Sequence, residues 1–236
     1  MFILASTNPE GLLIKMSTYR PILSTGEIYH LYNRSIGKEI IFTPRKFLNK
    51  ILRITNYYRY YQSLSFSVFN RKPQIFQANY LNGILSKPPL IEIYVYSLMP
   101  NHYHFLVKQL QNKGISIFLS NIQNSFAKNL NLINDRNGSL FEHNFKAKRI
   151  TNSEEFIHVS RYIHLNHTTS NIIDFNELIA YEWTSLPCYL DQRKNIFINT
   201  KPILDYFKTP ERYLKFLKNN VNYQKKLKKI KDLLFD

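Results

Sequence analysis

LIEIYVYSLMPNHYHFLVK, residues 90–108, is the stretch whose reading decides the fold. It consists of two apolar runs joined by a short turn at Met99-Pro100-Asn101. The first run is rich in β-branched and aromatic residues. The second sets Tyr103, Phe105 and Val107 on one face and His102 and His104 on the other. Period two on both sides of turn residues predicts a β-hairpin. Two imidazoles then leave one strand in the same direction, roughly 6.5–7 Å apart along it, close enough to converge on a single metal ion. The ordinary explanation of a His-x-His pair is a solvated polar face. Two histidines are also an incomplete site, so a ligand reading requires a second constellation elsewhere in the chain.

Composition narrows the partners. The 236 residues are 44% hydrophobic, enough for one real core plus appendages, or at most two domains. Lys and Arg number 32 against 16 Asp and Glu, a formal charge of +16, which favours a polyanion and nucleic acid first. A membrane surface is the blander partner for such a charge. The 17 Tyr and 17 Phe offer stacking surfaces for unpaired bases, although many must be core. Cys188 is the single cysteine, which excludes a disulfide framework and a thiolate zinc site and fits a reducing, intracellular setting. The apolar runs break within about ten residues, short of the roughly 20 that a membrane span needs. Residues 1–17 lack the basic start of a secretory signal and are expected to form a poorly ordered leader, with Met16 an alternative start.

Outward from the hairpin, EIYHLYNR alternates and predicts a first strand over residues 27–34. Thr43-Pro44 opens a helix over 45–61, with Phe47, Leu48, Ile51, Leu52 and Ile54 at helical spacing. The tyrosines that crowd its end read as packing before base stacking. Residues 62–89 read as a long irregular insertion with at most one weak element. A second amphipathic helix spans 115–133, and residues 139–150 form a basic strand or bent hairpin arm. Asn152-Ser153-Glu154-Glu155 starts a third helix over 154–166. Short helical pieces at 202–207 and 210–216 lead into a lysine-rich tail that includes Lys225, Lys226, Lys228 and Lys229. The order βα, hairpin, α, β, α predicts an α+β fold: a ferredoxin-like antiparallel sheet with packed helices. Residues 18–190 are expected as the principal domain and 191–236 as a helical basic extension.

The third helix supplies the second constellation. Tyr162 and Asn166 are four residues apart, one turn above each other at the edge of its apolar stripe. An Asn amide oxygen beside two imidazoles suits a hard ion such as Mg²⁺ or Mn²⁺ and leaves positions for phosphate and water. A phenol with a pKa of about 10 is a poor nucleophile at neutral pH, but a phosphodiester polarised by a divalent ion is a strongly activated electrophile.

MPNHYHFLV followed by RYIHLN resembles the single-tyrosine HUH transposases, and more narrowly the REP-associated tyrosine transposase branch of the IS200-like family. YHLYNRSIGKEIIF, FEHNFKAKRI and YEWTSLPCYL resemble the same branch, so the likeness runs over residues 27–190. It implies the HUH nuclease fold, with His102, His104 and Asn166 as metal ligands and Tyr162 as nucleophile. The implied activity cleaves and rejoins single-stranded DNA near hairpins through a 5′-phosphotyrosine link, with Mg²⁺ or Mn²⁺ as cofactor. The implied protein has no membrane partner, acts as a monomer or homodimer, and is cytoplasmic and nucleoid-associated. Asn33, Arg34, Lys146, Lys148 and Arg149 are candidate DNA contacts. In the family, proline usually follows the Asn; here His167 does, so the helix is expected to run on, with His167 able to crowd or assist the metal site. Two other readings remain open at this point. One is a non-catalytic nucleic-acid-binding module; the other is a metal-dependent hydrolase that uses activated water and in which Tyr162 is core.

Overall fold

The computed structural model describes residues 21–193 and 197–235, with side chains described up to residue 226. The expected leader lies outside the described residues, as do the side chains of Lys228 and Lys229. Four strands form one antiparallel sheet: β1 (Ile28–Arg34), β2 (Ile91–Met99), β3 (His102–Gln109) and β4 (Lys146–Ile150), in the spatial order β2-β3-β1-β4. The hairpin closes with Met99 paired to His102 across Pro100-Asn101. Helix α1 (Arg45–Tyr58) joins β1 to β2; α2 (Phe66–Asn70) and α3 (Gln74–Leu85) lie within that connection, and α4 (Gly114–Ile133) joins β3 to β4. Apart from α2 and α3, this is the β-α-β-β-α-β ferredoxin-like order.

Alternation sorts the two faces. Tyr29 and Leu31 of β1 and Tyr103, Phe105 and Val107 of β3 are buried in one core with Leu48, Ile51 and Ile54 of α1 and Phe118, Ile122 and Phe126 of α4. The opposite face carries Val95 and Leu106 into a second core. That core is roofed by α5 (Ser153–Thr169) and the helices after it: α6 (Phe175–Leu178), α7 (Leu186–Tyr189), α8 (Lys201–Phe207) and α9 (Pro210–Phe235). The region after residue 190 packs into the same cluster: Ile203, Tyr213 and Leu217 are fully buried beside Ile163 and Leu165 of α5.

Three expectations are corrected. Residues 62–89 hold two helices. Ser65 caps α2 by accepting from the Val68 amide, and α3 buries only Ile84 while leaving Ile75 and Phe76 exposed, so no amphipathic period marked it. Helix α1 ends at Tyr58, short of the expected residue 61. The Tyr58 hydroxyl accepts from the Phe66 amide and Tyr57 packs against Phe66 and Phe69, so these two tyrosines are packing as expected, whereas Tyr61 is exposed. The basic arm is a strand only over Lys146–Ile150, with a single bridge, Ser35 to Phe141, ahead of it.

Candidate active site

The face of the sheet under α5 is built in cross-strand rows, because paired residues on neighbouring strands point the same way. One row runs Ser97, His104, Tyr32, Lys146 across β2, β3, β1 and β4. The next pairs Met99, His102 and Arg34. On the other side, Leu106, His30 and Lys148 align. Three histidines, a tyrosine and three basic residues therefore share a patch three strands wide, across β3, β1 and β4.

The rings meet there. His102 and His104 have centroids 5.1 Å apart, nearly perpendicular at 82°. His102 Nδ1 lies 2.7 Å from Asn101 Oδ1 and donates to it, so Nε2 carries that ring's lone pair. His104 Nδ1 lies 2.9 Å from His30 Nε2. Tyr32 flanks this pair, with centroids 5.2 Å from His30 and 5.7 Å from His104.

Helix α5 brings the other constellation. Asn152 Oδ1 accepts from the Glu155 amide at 2.8 Å and Glu155 accepts from the Thr151 amide at 2.9 Å, which fixes where the helix begins. Tyr162 then stands edge-on to His104 and His30, at 5.7 and 5.9 Å. It is 39% exposed, unusual for an aromatic ring held against a sheet and suited to meeting a large substrate. Burial of its hydroxyl end and the nearby Tyr32 phenol raise its pKa, while the Asn166 amide beside it works in the opposite direction. Asn166 is only 5% exposed, and its Nδ2 is buried without an acceptor in hydrogen-bond geometry. A buried N–H donor left over in this way suits an acceptor such as a phosphate oxygen, whereas a cation would be met by Oδ1 of the same amide.

Among the described residues no three His, Cys, Asp or Glu side chains gather around one point, so a cation here would rely on an amide as well as imidazoles. The groups present fit that: two imidazoles whose Nδ1 atoms are engaged, and a buried amide whose Oδ1 is a hard oxygen donor. Such a neutral, mixed set suits a divalent ion that keeps open positions better than a closed tetrahedral one.

His167 does not join the site. Helix α5 runs three residues past Asn166, to Thr169, and turns His167 toward β2. Its Nε2 lies 3.1 Å from the Leu98 carbonyl and its Nδ1 3.3 Å from Ser97 Oγ, and burial pushes its pKa down to about 4. Of the candidate DNA contacts, Asn33 is buried on the other face, donating to the Glu142 carbonyl and accepting from the Arg34 amide. Lys148 pairs with Glu155 at 2.7 Å and Arg149 with Glu27 at 2.7 Å. Arg34 and Lys146 lie in the histidine rows. Sequence reasoning missed His30 and Tyr32; the alternation of YHLYNR placed them on one face, but the register that sets Tyr32 against His104 is a tertiary fact.

The model of the IS200-like transposase family matches residues 65–166, from the cap of α2 to Asn166. Those residues are similar to the IS200-like transposases. The IS200-like stretch takes in His102, His104 and Tyr162, and β1 with His30 precedes it. A solved structure of a REP-associated tyrosine transposase bound to a REP hairpin has the same fold, with a TM-score of 0.51 at 11% identity over 78% of this chain and 98% of that one. A Deinococcus radiodurans R1 protein described as a transposase matches with a TM-score of 0.34 and 15% identity, over 63% of this chain and 95% of its own. No curated protein matches the chain.

Proposed function

We propose that this IS200-like protein is a transposase-type enzyme that nicks and rejoins single-stranded DNA next to hairpins. The observation that carries the reading is the convergence of a partly exposed Tyr162 on His104, with His102 beside His104 and Asn166 beside Tyr162, in a stretch similar to the IS200-like transposases. Tyr162 Oη loses its proton and bonds to the scissile phosphorus. The 3′ oxygen leaves as a 3′-OH and the downstream strand stays on the protein as a 5′-phosphotyrosine. A 3′-OH attacking the same phosphorus reverses the step, so the bond energy is conserved. The Asn166 amide opposes the rise in phenol pKa that burial and Tyr32 impose, which favours the attacking form. Arg34 and Lys146, in the rows of His102 and His104, would hold the phosphates on either side of the scissile one.

His102, His104 and Asn166 are the residues that would hold a divalent cation, Mg²⁺ or Mn²⁺, which supplies Lewis-acid polarisation of the phosphodiester. His104 and Tyr162 meet within one chain, which supports a monomer rather than a homodimer as the cleaving unit. The charge of +16 suits a folded single strand as partner. Among the described residues no helix is long and apolar enough to cross a membrane. A DNA substrate would put the activity in the cytoplasm, at the nucleoid.

The test is incubation of wild type and Tyr162→Phe with hairpin-bearing single strands and Mn²⁺, resolved on a denaturing gel. Cleavage and the covalent adduct are expected to vanish in the variant while DNA binding persists. Cleavage at near wild-type rate without an adduct in either protein would assign the site to a hydrolase using water.

A further inference from the structure

We propose that His30 is a positioning residue for His104: its Nε2 accepts the Nδ1 proton of His104 and so fixes His104 in the tautomer whose Nε2 lone pair can take a divalent cation. The inference rests on the metal-site reading above and adds a residue to it.

The geometry separates a directed hydrogen bond from ring packing. His30 Nε2 and His104 Nδ1 are 2.9 Å apart, the ring centroids 5.1 Å, and the planes 24° from parallel. The centroid separation exceeds the N···N distance by about the width of one imidazole. The two nitrogens therefore lie nearly on the line between the rings, and the rings meet head-on in almost one plane. Face-to-face stacking would put no nitrogen between the centroids. Head-on imidazoles share one proton, and only two neutral arrangements exist. In one, His104 donates from Nδ1 and its Nε2 is a base. In the other, His30 donates, His104 carries its proton on Nε2, and that nitrogen cannot ligate a cation.

The surroundings favour the first arrangement. His102, the neighbouring ring, already has its Nδ1 donating to Asn101 Oδ1, so the first arrangement gives both histidines of the pair the same tautomer. His30 is buried on β1, in the row of Leu106 and Lys148, where the sheet register holds it diagonal to His104; Lys148 itself is tied to Glu155. Its ring is thereby fixed by the backbone of a second strand. A histidine held this way is a partner that orients a ligand, and removing such a partner characteristically weakens metal affinity 10–100-fold.

Three full-length variants test it: His30→Phe, which keeps a planar ring without an acceptor; His30→Gln, whose amide oxygen can accept from Nδ1; and His104→Ala, which identifies the His104 signals. Side-chain ¹⁵N–¹H NMR of the metal-free protein reads the tautomer. The expected result is Nδ1–H on His104 in wild type and His30→Gln, and a shift toward Nε2–H in His30→Phe. Mn²⁺ affinity by calorimetry without DNA is expected to fall about 10–100-fold in His30→Phe and to stay within a few-fold in His30→Gln. An Nε2–H tautomer in wild type, or an unchanged tautomer in folded His30→Phe, overturns the proposal. So does unchanged Mn²⁺ affinity in His30→Phe when His104→Ala has lost it. Mn²⁺ affinity that survives His104→Ala instead overturns the metal-site reading, and the tautomer still decides His30.

Discussion

Tyr162 and His167 sit five positions apart on one helix and show how little residue type says about role. Tyr162 is 39% exposed and stands against His104; His167 is buried, with both ring nitrogens engaged by Ser97 and Leu98. A phenylalanine at 167 keeps the ring's contact with Tyr181 and strips two hydrogen bonds, leaving the Leu98 carbonyl short of a partner. His167→Phe is expected to lower stability by about 1–3 kcal/mol in chemical denaturation. Mn²⁺ affinity should not change; a matched loss of affinity would put His167 in the site after all. The shared face of His102 and His104 was legible from alternation alone, since any strand that buries Tyr103 and Phe105 must turn His102 and His104 the other way. His30 was not, because the offset between β1 and β3 that brings its ring to His104 is written in no local pattern.

At the scale of elements, chain order and period predicted the sheet, α1, α4 and α5, because each buries one clean face. Helix α3 escaped for the opposite reason: with Ile75 and Phe76 exposed it has no apolar stripe to read. The start of α4 shows a constraint that sequence hints at but does not explain. Lys113 enters the helix in a left-handed conformation, φ 57°, and a Cβ at Gly114 would strike the Leu90 carbonyl at the head of β2. Backbone cannot swing aside as a flexible side chain can. Gly114→Ala is therefore expected to destabilise by about 1–3 kcal/mol, seen as a lowered melting temperature, whereas helix propensity alone would predict a gain of about 1 kcal/mol. A raised melting temperature would show that the α4–β2 junction has slack.

For the whole molecule, the helices after residue 190 do two things. Tyr213 of α9 is buried with its hydroxyl 2.7 Å from His164 Nδ1 and 3.2 Å from Ser160 Oγ, so α9 braces the helix that carries Tyr162. Beyond Gln224 the chain is lysine-rich. Truncation after Gln224 keeps that brace and removes the charge. It is expected to leave the cleavage rate intact at saturating DNA and to flatten the dependence of log affinity on log salt, each phosphate contact contributing about 0.7 to the slope for single strands. An unchanged slope would exclude the tail from DNA binding. The central claim, that Tyr162 takes the 5′ phosphate, is tested most directly by labelling a hairpin-bearing strand at either end and mapping the adduct by mass spectrometry. The account predicts that the 3′-labelled piece stays on the peptide containing Tyr162 and the 5′-labelled piece leaves with a 3′-OH. Both pieces released free, or the link found at another residue, would contradict it.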